Sequence, residues 1–83
     1  MKPRLYYVEW VDTAKTGDDH PNPKGLQPVR RFTVGWLMKK NKRYILLAMD
    51  RLKWPDGTTE YEHGFAIARQ VVLRHGKLRR GTR

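Results

Sequence analysis

Cysteine is absent from this 83-residue chain, which rules out disulfide staples and thiolate metal ligands. The absence suits a reducing compartment, and a cytoplasmic location is expected (the host cytoplasm, if the chain is phage-encoded). Negative charge is scarce: 8 Asp and Glu face 18 Lys and Arg, a formal net charge of +10. Such a balance costs self-repulsion on folding and attracts polyanions. No apolar run approaches the roughly 18 residues that a membrane-crossing helix requires. The start, Met1-Lys2-Pro3-Arg4-Leu5, carries no apolar signal stretch. No sequence period suggests a repeat architecture. A membrane surface also fits poorly, because no amphipathic helix accompanies the basic residues.

The large side chains carry the fold signal: three Trp, four Tyr and two Phe in one small chain argue for a folded domain over a disordered basic polymer. Arg4 to Val11 is rich in β-branched and aromatic residues and predicts a strand, with Tyr6, Val8 and Trp10 sharing a face. Residues 12–28 hold three prolines, two glycines and Asp18-Asp19-His20, which predicts a long loop. Val29 to Met38 predicts a second strand, with Phe32, Val34, Trp36 and Met38 on one face and Arg31, Thr33 and Gly35 on the other. A glycine within a strand marks a bend, a bulge or close backbone approach. Lys39-Lys40-Asn41-Lys42 reads as a hairpin tip, and Arg43 to Asp50 as a central third strand, apolar on both faces.

Pro55-Asp56-Gly57 predicts a tight turn into a fourth strand, Thr59 to Ala68. A short helical turn at Ala68-Arg69-Gln70 and a last strand, Val71 to Arg74, complete the chain. A helix over residues 65–77 is the competing reading, since Phe65, Ala68, Val72 and His75 have helical spacing. The expectation is mainly β: a single five-stranded, SH3-like, partly open barrel over residues 1–75, with a long first loop and a flexible basic C-terminal tail over 76–83.

The strings Val8-Glu9-Trp10-Val11-Asp12, Val34-Gly35-Trp36-Leu37, Tyr44-Ile45-Leu46-Leu47-Ala48 and Ile67-Ala68-Arg69 together resemble a pattern in small, mostly uncharacterised phage and prophage proteins. Those proteins share a V-x-W-x-D start, V-G-W/Y-L, a strand ending in Leu-Ala and a late I-P-K. Ala68 and Arg69 stand where the pattern has Pro and Lys, and the basic tail departs from it. The resemblance implies a small β-barrel of phage origin and supplies no catalytic residue.

Candidate chemistry divides three ways. For metal, Asp18, Asp19 and His20 are adjacent in a loop and His63 and His75 stand apart, which is not zinc-ligand spacing; no metal or cofactor is expected. For catalysis, Asp50, Glu60 and Glu62 lie on neighbouring predicted strands near His63. No phosphate-cradling loop or nucleophile motif accompanies them, so no enzymatic activity is expected. For nucleic acid, RNA or DNA, phosphate contacts are expected from Lys39, Lys40, Lys42 and Arg43 at the hairpin, Arg51 and Lys53, and Arg79 and Arg80 in the tail. Trp54 either stacks on a base or packs over a barrel end, and Trp10 and Trp36 are expected in the core. The alternative function is a phage-encoded inhibitor or adaptor that blocks a host enzyme or ribonucleoprotein, such as a defence nuclease.

Overall fold

The computed structural model describes residues 2–12 and 28–78. The alternating aromatic and β-branched segments form five strands: β1 (Leu5–Asp12), β2 (Val29–Lys40), β3 (Tyr44–Lys53), β4 (Thr59–Ala68) and β5 (Val72–Lys77), with a 3-10 turn at Arg69–Val71 before β5. They make one antiparallel sheet in the order β4-β3-β2-β1-β5. The outermost strands, β4 and β5, do not pair with each other, so the sheet is not closed into a barrel. No helix among the described residues is long and apolar enough to cross a membrane.

Both hairpin turns follow from their side chains. The Asn41 side-chain carbonyl accepts from the backbone N–H groups of Arg43 and Tyr44, at 2.8 and 2.9 Å, closing the β2–β3 connection. In the β3–β4 connection the Gly57 N–H donates to the Trp54 carbonyl, and the Asp56 carboxylate accepts from the backbone N–H and hydroxyl of Thr58. Gly57 takes φ of 94°, the left-handed position that glycine occupies without steric cost.

The core lies on one face of the bent sheet. Tyr6, Val8, Ile45, Leu47 and Ile67 are buried, with Trp10, Leu37, Val71 and Val72 packed against them. Burying a side chain such as Leu47 contributes about 1.5–3 kcal/mol. Bending comes from β2, where Gly35 sits opposite Tyr6 and a register shift falls between Leu37 and Lys39. The Arg69 N–H then donates to the Arg43 carbonyl, tying the 3-10 turn to the start of β3 as the chain crosses to β5.

The short helical turn and last strand expected after β4 form, and the competing helix over 65–77 does not: the end of β4, the 3-10 turn and β5 occupy that stretch. Val71, at the end of the 3-10 turn, and Val72, at the start of β5, pack against the core. β5 also runs further than expected: Gly76 and Lys77 pair with Tyr7 and Tyr6, so the strand continues into the segment expected to be tail. The apolar face of β2 points away from the core, with Phe32 62% exposed. Trp36, expected in the core, is partly exposed and lies outside the core cluster. The loop expected over 12–28 lies, apart from its ends, outside the described residues.

His63 carries a strained backbone. Its φ is 61°, and the β3–β4 ladder skips the pair it would make with Met49. A non-glycine residue there costs about 1–2 kcal/mol, partly offset by the entropy that glycine loses on folding. His63→Gly should therefore raise stability by about 0.5–1 kcal/mol, read as a higher urea midpoint with an unchanged m-value.

Candidate nucleic-acid interface

The antiparallel register sorts the charges by end. The β2–β3 hairpin carries Lys39, Lys40, Lys42 and Arg43. Arg69 joins them through its bond to the Arg43 carbonyl, and Lys77 through its pairing with Tyr6. Lys2 and Arg4, just before β1, line a cleft with Lys77. The described carboxylates lie elsewhere. Glu9 and Asp12 occupy the second half of β1, and Asp50, Asp56, Glu60 and Glu62 surround the β3–β4 turn. Phosphate approaching the hairpin end thus meets cations from four segments of the chain.

The remaining arginines are largely engaged. Glu9 accepts from Arg74 at 2.9 and 3.0 Å and lies 3.5 Å from Arg30. The bonds to Glu9 hold Arg74 more firmly charged than usual. Arg31 donates to Asp12 at 2.9 Å. Arg30 and Arg31, adjacent in the sequence, therefore sit in ion pairs across the sheet.

The expected contact residues fall into separate places. Lys39, Lys42 and Arg43 are exposed at the hairpin. Lys40 turns toward β1, with its ammonium 3.3 Å from the Tyr6 hydroxyl and 5.4 Å from the Tyr6 ring centre. Arg51 lies over the Trp36 ring at 5.1 Å, a cation–π contact, with Tyr61 edge-on to the same ring. Lys53 and Trp54 end β3, and Trp54 is 48% exposed. From Tyr44 to Lys53 an extended strand spans about 30 Å. Arg51, Lys53 and Trp54 are thus remote from the hairpin, on the half of β3 that bears the carboxylates. Arg79 and Arg80 lie outside the described residues; β5, which precedes them, ends beside Tyr6 at the basic end.

Sequence reasoning missed the group around His75. Its Nδ1 is 2.5 Å from the Tyr6 hydroxyl, and its Nε2 is 3.5 Å from an Arg69 guanidinium nitrogen. Sequence separations of 69 and 6 hide this cluster, which forms only once β5 pairs with β1. Partial burial, then the nearby Arg69 and Lys40 charges, lower the His75 pKa below its ordinary value. The unfolded chain therefore takes up this proton first, near pH 6.5. Stability from this site is complete above that pH and is lost as pH falls through the lower folded-state value. Urea titrations between pH 7.5 and about pH 5 should show that decline, and His75→Asn should flatten it.

Asp50, Glu62 and His63, singled out in the sequence as neighbouring carboxylates and imidazole, do come together. Their ligand atoms all lie within 4.8 Å of one another, and all three residues are exposed. His63 Nε2 is 3.6 Å from Asp50 and 4.0 Å from Glu62, a geometry that an imidazolium satisfies as an ion pair. Asp18, Asp19 and His20 lie outside the described residues. Comparisons with protein-family models, with curated proteins and with solved structures found no match to this chain.

Proposed function

We propose that this chain is a non-catalytic nucleic-acid-binding domain of the SH3-like, partly open barrel type, encoded by a phage and acting in the host cytoplasm. The segregation of charge carries the reading. Lys39, Lys42 and Arg43 project from a hairpin into solvent, Arg69 and Lys77 flank them, and the described carboxylates lie away from that end. Flexible exposed cations of this kind neutralise phosphates and release counterions. Arg79 and Arg80, which follow β5 in the sequence, are proposed to add sequence-independent affinity. Arg51, Lys53 and Trp54 stand among carboxylates about 30 Å along β3, so the reading rests on the hairpin end. The test is fluorescence anisotropy with single- and double-stranded DNA and RNA at low and physiological salt. Micromolar binding that persists at physiological salt supports the reading; loss of all binding there removes it.

One observation favours a protein partner instead. On the sheet face opposite the core, Leu5, Phe32 and Val34 are exposed and the Tyr7 and Phe32 rings stack at 5.4 Å. An exposed apolar patch of this kind suits an inhibitor or adaptor that anchors on a host protein. Such binding would weaken little with salt and would be lost in Phe32→Ala.

A further inference from the structure

Beside the hairpin, the segment before β1, the end of β2 and the end of β5 enclose a cleft of about 560 Å³. Lys2, Arg4 and Lys77 supply its charge, Pro3, Leu37 and Met38 its apolar wall, and Tyr6 also lines it. Among the described residues no carboxylate lines the cleft. The volume suits a small ligand with an apolar face, and three cations along one cleft suit a dianion better than the single charge of a phosphodiester.

The hydrogen-bond network around Tyr6 points the same way. A guanidinium and an ammonium can only donate. The tautomer in which Nε2 of His75 accepts from Arg69 places the ring proton on Nδ1, which then donates to the Tyr6 oxygen. Lys40 donates to that same oxygen. In that tautomer Tyr6 accepts twice, and its own hydroxyl proton is left for an acceptor in the cleft that it lines.

We infer that this cleft binds the phosphomonoester of a nucleotide, with the Tyr6 hydroxyl and the Arg4 and Lys77 side chains holding the phosphate and Leu37, Met38 and Pro3 flanking the nucleoside. The inference deepens the nucleic-acid reading, and rests on it only in taking the phosphorylated end of a strand as the ligand. A terminal phosphate carries about one more negative charge than an internal one, so the cleft distinguishes strand ends from strand interiors.

The test compares one short oligonucleotide with a 5′-phosphate, a 3′-phosphate or hydroxyl ends, alongside adenosine monophosphate and inorganic phosphate, by anisotropy and calorimetry. A phosphorylated end should improve affinity about tenfold, the scale of one charge-assisted hydrogen bond to a dianion. Tyr6→Phe should reduce that ratio to near unity, and Lys77→Gln should lower it as well, which covers the case of a poorly folded Tyr6 variant. Binding of adenosine monophosphate without any oligonucleotide binding would uphold the cleft with a free nucleotide as ligand and remove the nucleic-acid reading. Oligonucleotide binding indifferent to end phosphorylation, with no binding of adenosine monophosphate, would overturn the cleft and leave that reading standing. Binding of inorganic phosphate as tight as the monophosphate would overturn the role of the apolar wall.

Discussion

Gly35→Val should remove most of the stability of this fold, the largest effect expected from any single substitution here. A Cβ at position 35 would sit 2.7 Å from the Ala48 carbonyl oxygen, 3.1 Å from the Leu47 Cβ and 3.2 Å from the Met49 sulfur. The first contact is with backbone held in the β2–β3 ladder, so a side chain cannot simply swing aside. Relief requires β2 and β3 to separate where the sheet bends, opposite the buried Tyr6. Overpacking at such a point costs about 3 kcal/mol or more. A small domain without disulfides has a stability on the order of 5 kcal/mol. Urea denaturation followed by tryptophan fluorescence measures the loss. Gly35→Ala should also destabilise, by less, because alanine adds only the clashing Cβ. An unchanged midpoint in both variants would mean that β3 does not cross β2 this closely.

Reversing the exposed hairpin cations, Lys39→Glu, Lys42→Glu and Arg43→Glu together, should weaken nucleic-acid binding about a hundredfold, at about 1 kcal/mol for each lost contact. The slope of log K against log salt should become shallower by about three. These side chains are exposed and pack against no core residue, so thermal stability should hold nearly constant. Lys40 is left out by design. Its ammonium contacts both the hydroxyl and the ring of Tyr6, so its reversal would disturb the core edge as well as the surface charge. The loss should be similar for different base sequences, since phosphate contacts set position rather than specificity. A loss confined to one sequence, or an unchanged salt slope, would remove the hairpin from the interface.

The Glu9 cluster explains why a count of charges misleads. Arg30, Arg31 and Arg74 contribute three of the positive charges in the composition, yet each lies in an ion pair with Glu9 or Asp12. Such exposed pairs add little stability, typically under about 1 kcal/mol. Their effect is to make the second half of β1 close to neutral and leave the hairpin end as the basic pole. A polyanion is steered by that local field more than by the total charge.

Strand composition, the Pro-Asp-Gly turn and the lone Gly35 were enough to predict the mainly β class, the number of strands and the short turn before the last strand, because each depends on a few consecutive residues. The span of β4, Thr59–Ala68, matches its expectation because a tight turn fixes its start and the 3-10 turn fixes its end. The face of β2 that meets the core was beyond sequence: its more apolar face, with Phe32, Val34 and Met38, stays exposed, while the close approach at Gly35 brings the other face onto β3. So too was the cluster of Tyr6, Lys40, Arg69 and His75, drawn from four separate segments. Pairing of β5 with β1 sets Tyr6 opposite Lys77 and Val8 opposite His75, while the 3-10 turn delivers Arg69 to the start of β3. The sequence by itself determined how much positive charge this protein carries and that it folds as strands. Only the tertiary structure decided where that charge stands uncompensated, because register and strand order choose which cations meet a carboxylate and which meet solvent.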